Sequence, residues 1–185
     1  MSDKESRREL TKKLQAMGKD ILFDKLNLLT KAVEYYELGE SYREKGDYVN
    51  ALKYYKMAAE VNHYGALNAI GVIYMNGLIG NKDYPLAIEY FKKAIEYGSK
   101  EAILNIGKCY LYGTEEYEKA VEAFKSAMEI ESVAAEAYNK IGVMYFWGNN
   151  YKPALEYFKK AYELGHEDTY DLGLMYLYNY DNAGL

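Results

Sequence analysis

Residues 84–94 read Tyr-Pro-Leu-Ala-Ile-Glu-Tyr-Phe-Lys-Lys-Ala, and this stretch decides the fold because the chain repeats its pattern. A tyrosine is followed after three residues by alanine, after four more by an aromatic residue and after three more by a second alanine: Tyr84, Ala87, Phe91 and Ala94. The pattern occurs again at residues 48–58, 117–127 and 151–161. These spacings put the side chains on one face of an α-helix, since 3.6 residues complete a turn. The sequence therefore predicts four equivalent helices.

A second series, built on glycine, precedes each of these helices. Each glycine follows a leucine or isoleucine and has a tyrosine three residues later, and the series is Gly39, Gly71, Gly107, Gly142 and Gly173. Glycine inside a helix costs roughly 0.5–1 kcal/mol relative to alanine, so its recurrence indicates close packing against a neighbouring helix. Each repeat is therefore two helices. We predict first helices near 31–45, 65–77, 100–112 and 134–147, and second helices near 48–61, 84–97, 116–130 and 151–164.

This double pattern resembles the tetratricopeptide repeat and the related Sel-one-like repeat over residues 31–185. Gly39 to Ala51 and Gly142 to Ala154 have the twelve-residue step of a tetratricopeptide repeat, and repeat three is one residue longer. Repeat two has a sixteen-residue step, and its loop at 77–84 looks like the glycine-rich loop of Sel-one-like repeats. The resemblance implies an all-α, right-handed superhelical solenoid with four full repeats and a partial fifth.

Residues 1–30 form a separate N-terminal segment with mixed charges, and Leu10, Leu14, Met17 and Ile21 recur at helical spacing. We favour an amphipathic helix that caps the first repeat. Gly18 argues against one continuous helix, and a disordered tail or a segment that binds the concave face of a second copy are the alternatives.

Composition excludes several classes of function. The net charge of −5 argues against a nucleic-acid partner, because affinity for phosphates depends on clustered Lys and Arg. No run of about 18 apolar residues predicts a membrane span. A single cysteine, Cys109, cannot form an internal disulfide, and the first thirty residues lack the apolar core of a signal peptide. We expect a cytoplasmic protein.

The resemblance implies that the first helices line a concave binding surface. A regular helix turns by about 100° per residue, so four positions around each glycine share a face that is separate from the core. They are the positions three before, one after, four after and five after the glycine. That face is apolar and aromatic in repeats two to five, which indicates a binding groove or a contact with the protein's own chain. The apolar members of this predicted stripe are Val72, Met75, Leu104, Leu111, Tyr112, Val143, Phe146, Trp147, Tyr170, Leu174, Leu177 and Tyr178.

Three asparagines, Asn68, Asn105 and Asn139, interleave with the stripe and could pair with a peptide backbone or simply face solvent. For Phe146 or Trp147 taken alone, a place in the core between repeats is favoured over peptide contact, whereas the stripe as a whole favours a groove.

The resemblance also implies a comparison with adaptors that hold an acidic chaperone tail through Lys, Arg and Asn. Only Asn105 fits among Tyr36, Glu40, Ala69, Glu101 and Asn105, so such a tail is not the expected ligand. We expect instead an apolar or amphipathic peptide, with basic residues that meet Glu101, Glu136 and Glu167.

Other reactive side chains favour structural roles. His63 and His166 lie at junctions between repeats without metal-ligand spacing, and Cys109 has no partner base. We predict neither metal nor cofactor and no enzyme activity, and we expect a scaffold for protein interaction.

The C-terminal edge suggests a second class of function, a self-assembling structural module. Gly173 opens a fifth repeat, but the alanine of its second helix would fall at position 185. The last predicted helix is apolar nearly all round, so we expect either a longer array or a homodimer through this edge.

Overall fold

A computed structural model describes residues 3–167, and this part of the chain is helical with no β-strand. The eight α-helices are α1 (Asp3–Glu44), α2 (Tyr48–Ala59), α3 (Tyr64–Asn76), α4 (Tyr84–Glu96), α5 (Ala102–Cys109), α6 (Tyr117–Met128), α7 (Glu131–Trp147) and α8 (Tyr151–Glu163). The predicted pairs are confirmed over these residues. None of these helices combines the length and the apolar composition that crossing a membrane would require.

The helices stack in chain order. Each first helix packs on the second helix of its own repeat, as α3 does on α4, and each second helix packs on the next first helix, as α4 does on α5. A chain in which each element packs mainly on its sequence neighbours forms a solenoid rather than a closed globule.

The recurring spacing of small and aromatic residues along the chain is explained by one contact that each repeat makes. The first-helix glycine lies directly against the aromatic ring of the second helix, and a Cβ at Gly71 would come within 2.6 Å of Phe91. Phe91 is fully buried, as are its counterparts Tyr55, Phe124 and Phe158. The glycines are therefore required because the ring occupies the space of a side chain.

Repeat three departs from regular helix geometry at the place where the sequence has one extra residue. α5 was predicted to continue to residue 112, but the backbone changes to a π-helical turn over Tyr110–Thr114. Glu115 then adopts a left-handed conformation with φ of 55° before α6 begins. A π turn accommodates an inserted residue without breaking the helix, and the thirteen-residue step from Gly107 to Ala120 requires such an insertion.

The N-terminal segment is helical, but the predicted packing on the first repeat is wrong. α1 passes through Gly18 and into the first repeat as one helix, and its first buried side chain among those described is Ala32. Large apolar side chains described before that point are exposed: Met17, Ile21, Leu22, Phe23, Leu26, Leu28 and Leu29. The side chains of Leu10 and Leu14, which were predicted for the same face, lie outside the described ones. Helical hydrogen bonding continues along the backbone, and a single glycine costs too little to interrupt it. The segment thus extends the first helix away from the array.

Candidate peptide-binding groove

An open groove of about 520 Å³ lies along the first helices of repeats two, three and four. Its walls come from α3, the start of α4, α5 with its π turn, and α7. The lining residues are Val72, Met75, Asn76, Lys82, Tyr84, Asn105, Lys108, Tyr112, Glu136 and Lys140. Because successive first helices stand side by side, the groove crosses three repeats and can hold a segment several residues long.

Four residues predicted for the binding surface line this groove. Val72 and Met75 are half-buried on α3, and they give the groove an apolar floor. Asn105 comes from α5 and Tyr112 from the π turn. Tyr112 is 47% exposed, so much of its ring is free to contact a ligand.

Trp147 extends the aromatic surface beyond the groove. It is 57% exposed and meets the ring of Tyr112 edge to face, with 6.3 Å between the ring centres. The favoured interpretation of Trp147 as part of the core between repeats is therefore wrong, although its exposed ring does contact Tyr112 of the neighbouring repeat. Phe146, its neighbour, is half-buried and packs on Tyr151 at 5.7 Å, within its own repeat. Val143 is also half-buried.

Two residues of the predicted stripe belong to the core instead. Leu104 and Leu111 are each 3% exposed and pack with Phe124 and Ile141. The assumption of a regular 100° step fails at Leu111 because it lies in the π turn, where the angular step is smaller. Leu104 is covered by α7 of the next repeat, which a single-helix argument does not include.

The three predicted asparagines differ in their surroundings. Asn105 donates from Nδ2 to Oδ1 of Asn68 at 3.2 Å, which links α5 to α3 across neighbouring repeats. Asn139 is 7% exposed, and its Nδ2 lies 3.3 Å from Nε2 of His166. Asn68 and Asn139 therefore bridge neighbouring elements, while Asn105 also lines the groove.

The C-terminal members of the predicted stripe lie outside the described residues. They are Tyr170, Leu174, Leu177 and Tyr178.

Sequence reasoning missed the basic side chains of the groove. Lys108 directly follows Gly107 and so lies at a position of the predicted binding face, but the predicted stripe contains only apolar and aromatic residues. Lys140 lies two residues before Gly142, as Asn105 does before Gly107. Lys82 comes from the long loop of repeat two, whose path no helical periodicity predicts.

The charges of the groove are arranged around its tyrosines. Lys108 Nζ lies 2.8 Å from Glu136 Oε1, which neutralises that carboxylate. Lys140 Nζ lies 5.9 Å from the ring centre of Tyr112, and Lys82 Nζ lies 5.9 Å from that of Tyr84, both within the range of cation–π attraction. Burial raises the pKa of Tyr112, so its hydroxyl stays protonated and can donate a hydrogen bond at neutral pH.

The remaining reactive groups have structural surroundings. Cys109 is buried, and burial raises the pKa of its thiol to about 12, so it is not a thiolate nucleophile at neutral pH. His63 caps α3, with its Nδ1 accepting from the backbone N–H of Ala66 at 3.2 Å. In the part of the chain that is described, no group of His, Cys, Asp and Glu side chains has the arrangement of a metal site.

Comparison with known families agrees with the helix pairs. Tetratricopeptide repeat models match residues 34–63, 100–133 and 134–169, and a Sel1 repeat model matches residues 65–99. The chain belongs to the tetratricopeptide and Sel1 repeat proteins. The Sel1 match covers the repeat with the long loop, as predicted from its sixteen-residue step. Such repeat proteins generally serve as scaffolds for protein interaction.

Solved structures share the repeat fold. A Sel1 repeat protein from Oxalobacter formigenes is 25% identical with a TM-score of 0.64, and the match covers 77% of this chain and 60% of that protein. This chain thus spans less than two thirds of that protein's length. Pseudomonas aeruginosa pilF is 21% identical with a TM-score of 0.70, and the match covers 84% of this chain and 72% of that one.

A third neighbour, the MamA protein, is 24% identical with a TM-score of 0.60, and the match covers 80% of this chain and 88% of that one. At these identities pilF and MamA show the fold alone. A search of curated proteins returned no significant match.

Proposed function

We propose that this repeat protein is a non-catalytic scaffold that binds a peptide or helical segment of another protein in the groove between α3 and α7. The observation that carries this proposal is the exposed aromatic pair Tyr112 and Trp147 beside the apolar floor of Val72 and Met75. Tyrosine and tryptophan dominate the binding energy of many protein interfaces because they bury a large area with few rotatable bonds.

The position of the pair supports the proposal as well. Tyr112 and Trp147 come from neighbouring repeats and contact each other edge to face, so a ligand that spans two repeats can meet both rings. Asn105 adds an amide oxygen at the groove surface that can accept a hydrogen bond from a peptide N–H, since its Nδ2 is the group that donates to Asn68.

The test is binding of peptides selected from a random display library against the full chain. We expect Tyr112→Ala to weaken binding about tenfold or more, the loss typical of an interface hot spot. Tyr117→Ala is the matched control, because Tyr117 is similarly exposed but lies on α6, away from the groove residues. Selected peptides that bind Tyr112→Ala and the unchanged protein equally well would refute the proposed site.

A second candidate function is self-assembly, and the exposed N-terminal part of α1 favours it. Leu22, Leu26, Leu29 and Val33 are exposed and follow steps of four, three and four residues, which places them along one side of the helix. Burial of such a stripe against a second copy would be favourable, since each leucine-sized side chain contributes about 1.5–3 kcal/mol. The C-terminal edge remains a further proposed contact.

Sedimentation over a range of concentrations separates the two candidates. If the α1 stripe joins two copies, Leu22→Gln with Leu26→Gln should convert a dimer into a monomer while the helical signal persists. A protein that stays monomeric at all concentrations would exclude this second function.

A further inference from the structure

The groove has the opposite charge to the rest of the chain. Its charged residues are Lys82, Lys108, Lys140 and Glu136, whereas the whole chain has a net charge of −5. An excess of positive charge confined to one cleft of an acidic protein concentrates the electrostatic potential there.

Two of the three lysines are available to a ligand. Lys108 is paired with Glu136, but Lys82 and Lys140 form no salt bridge with any side chain that the structure describes. Each ammonium group lies near a tyrosine ring of the groove, 5.9 Å from the ring centre. A tyrosine face attracts a cation without neutralising its charge, so both lysines keep their positive charge toward the groove.

The positions of these lysines define the ligand more closely. Lys82 belongs to the loop of repeat two and Lys140 to the first helix of repeat four, with the helix of repeat three between them. Because the first helix of repeat three separates the elements that carry them, each lysine can meet its own carboxylate at a different position along a bound segment. The same groove is lined by the apolar side chains Val72 and Met75 and by the ring of Tyr112.

We propose that the groove selects a segment of another protein in which acidic side chains flank an apolar or aromatic residue on both sides. This inference depends on the proposed function of the groove and names the chemical class of its ligand. Carboxylates of Asp or Glu pair with Lys82 and Lys140, and the central residue packs on Met75 and Tyr112. The ligand charge is opposite to that expected from Glu101 and Glu136, since Glu136 is already paired with Lys108 and Glu101 is not among the residues that line the groove.

The segment is internal rather than a chain terminus. A terminal carboxylate places its charge at a single point, whereas the two free lysines require charges at separated positions along the ligand. The recognition we infer therefore uses two side-chain carboxylates and does not need a free C-terminus.

The experiment uses the full chain and three peptide pools that are acetylated at the N-terminus and amidated at the C-terminus. The pools share a randomised apolar centre, which is flanked on both sides by Glu, by Gln or by Lys. Trp147 is the single tryptophan of the chain and touches Tyr112, so its fluorescence reports occupation of the groove directly. A fourth pool, with Gln flanks and a free C-terminal carboxylate, tests the terminus.

We expect the Glu pool to bind about tenfold more tightly than the Gln pool, since each exposed ion pair contributes a factor of roughly two to five. The Lys pool should bind more weakly than either. The advantage of the Glu pool should decrease with added salt, because the Debye length falls from about 10 Å at 0.1 M to about 3 Å at 1 M.

The double variant Lys82→Gln/Lys140→Gln should bind the Glu and Gln pools equally. The matched control is Lys92→Gln/Lys125→Gln, which changes the net charge equally on the exposed surface of α4 and α6 and should preserve the preference. Because all four lysines are at least partly exposed, neither variant should disturb folding.

The outcomes separate this inference from the proposed function. Equal binding of the Glu and Gln pools by the unchanged protein, with Tyr112→Ala still weakening both, overturns the acidic preference and leaves the groove as a binding site. A preference for the free-carboxylate pool over the Glu pool shows that a terminus is the ligand and also overturns the inference. If no pool is bound, the groove is not a peptide site and both proposals fail.

Discussion

Gly18 and Gly39 belong to the same helix, and their surroundings show what a residue contributes to this fold. A Cβ added at Gly39 would lie 2.5 Å from the ring of Tyr55, whereas a Cβ at Gly18 would meet no atom within 4 Å. Gly39 is therefore required by its contact with the next helix. Gly18 has no such contact, and it lowers the stability of the helix that contains it.

The first prediction concerns these two glycines. Gly39→Ala should destabilise the protein by about 1–3 kcal/mol, because the ring of Tyr55 must move in a filled core. Gly18→Ala should instead stabilise the helix locally by roughly 0.5–1 kcal/mol. Urea denaturation measures the first change, and hydrogen exchange of the backbone amides around residue 18 measures the second. A stability change of the same sign at both positions would contradict this account of the recurring glycine.

At the scale of the element, the start of α3 depends on a histidine. His63 Nδ1 accepts from the N–H of Ala66, and its ring stacks on Tyr36 at 4.7 Å and on Tyr64 at 5.7 Å. Burial lowers the pKa of His63 below its ordinary value of 6.5. Nδ1 can accept this hydrogen bond only when it carries no proton, so the cap requires the neutral ring.

The second prediction is a loss of stability in mild acid. The unfolded chain binds the proton of His63 more tightly than the folded protein does, so this contribution is fully present above pH 6.5 and is lost as pH falls through the lowered folded pKa. His63→Asn should keep the cap, since asparagine is a preferred N-cap residue, and should reduce the difference in unfolding free energy between about pH 7.5 and about pH 5. An unchanged pH dependence in His63→Asn would show that other groups cause it.

At the scale of the whole molecule, the hydrophobic core consists of separate clusters of buried residues along the stack of helices. Ile70 and Ile73 pack with Tyr55 under the first two repeats, whereas Ile141 packs with Phe124 between the last two described repeats. These clusters share no buried residue, and repeat proteins are stabilised mainly by interactions between neighbours. Separate parts of the array should therefore respond independently to substitution.

The third prediction follows from this division. Ile70→Val and Ile141→Val should each cost about 0.5–1.5 kcal/mol, and the double variant should equal their sum within about 0.3–0.5 kcal/mol. Ile70→Val with Ile73→Val is the comparison within one cluster. Its change in unfolding free energy should differ from the sum of the two single changes, because the two residues share neighbours. Guanidinium denaturation of the three single variants, the two double variants and the unchanged protein provides the measurement. Strong coupling between Ile70 and Ile141 would mean that the array behaves as one undivided core.

Most of the fold could be predicted from the sequence because a repeat presents the same local pattern several times. The positions of Gly71 and Phe91 identify the two helices and their contact, and the same pair recurs in each described repeat. The candidate site could be predicted only in part. Val72, Met75, Asn105 and Tyr112 line the groove as expected, whereas Leu104 and Leu111 are buried.

The sequence by itself therefore determined the helix pairs and the recurring contact between a first-helix glycine and a second-helix aromatic ring, because these depend on spacing within one or two helices. Only the tertiary structure decided which side chains share the groove. Lys82 comes from a loop, Tyr112 from a π turn and Lys140 from a helix two repeats away from that loop. Their proximity depends on how successive repeats rotate and how the loop runs between them, and no periodicity within a single helix contains that information.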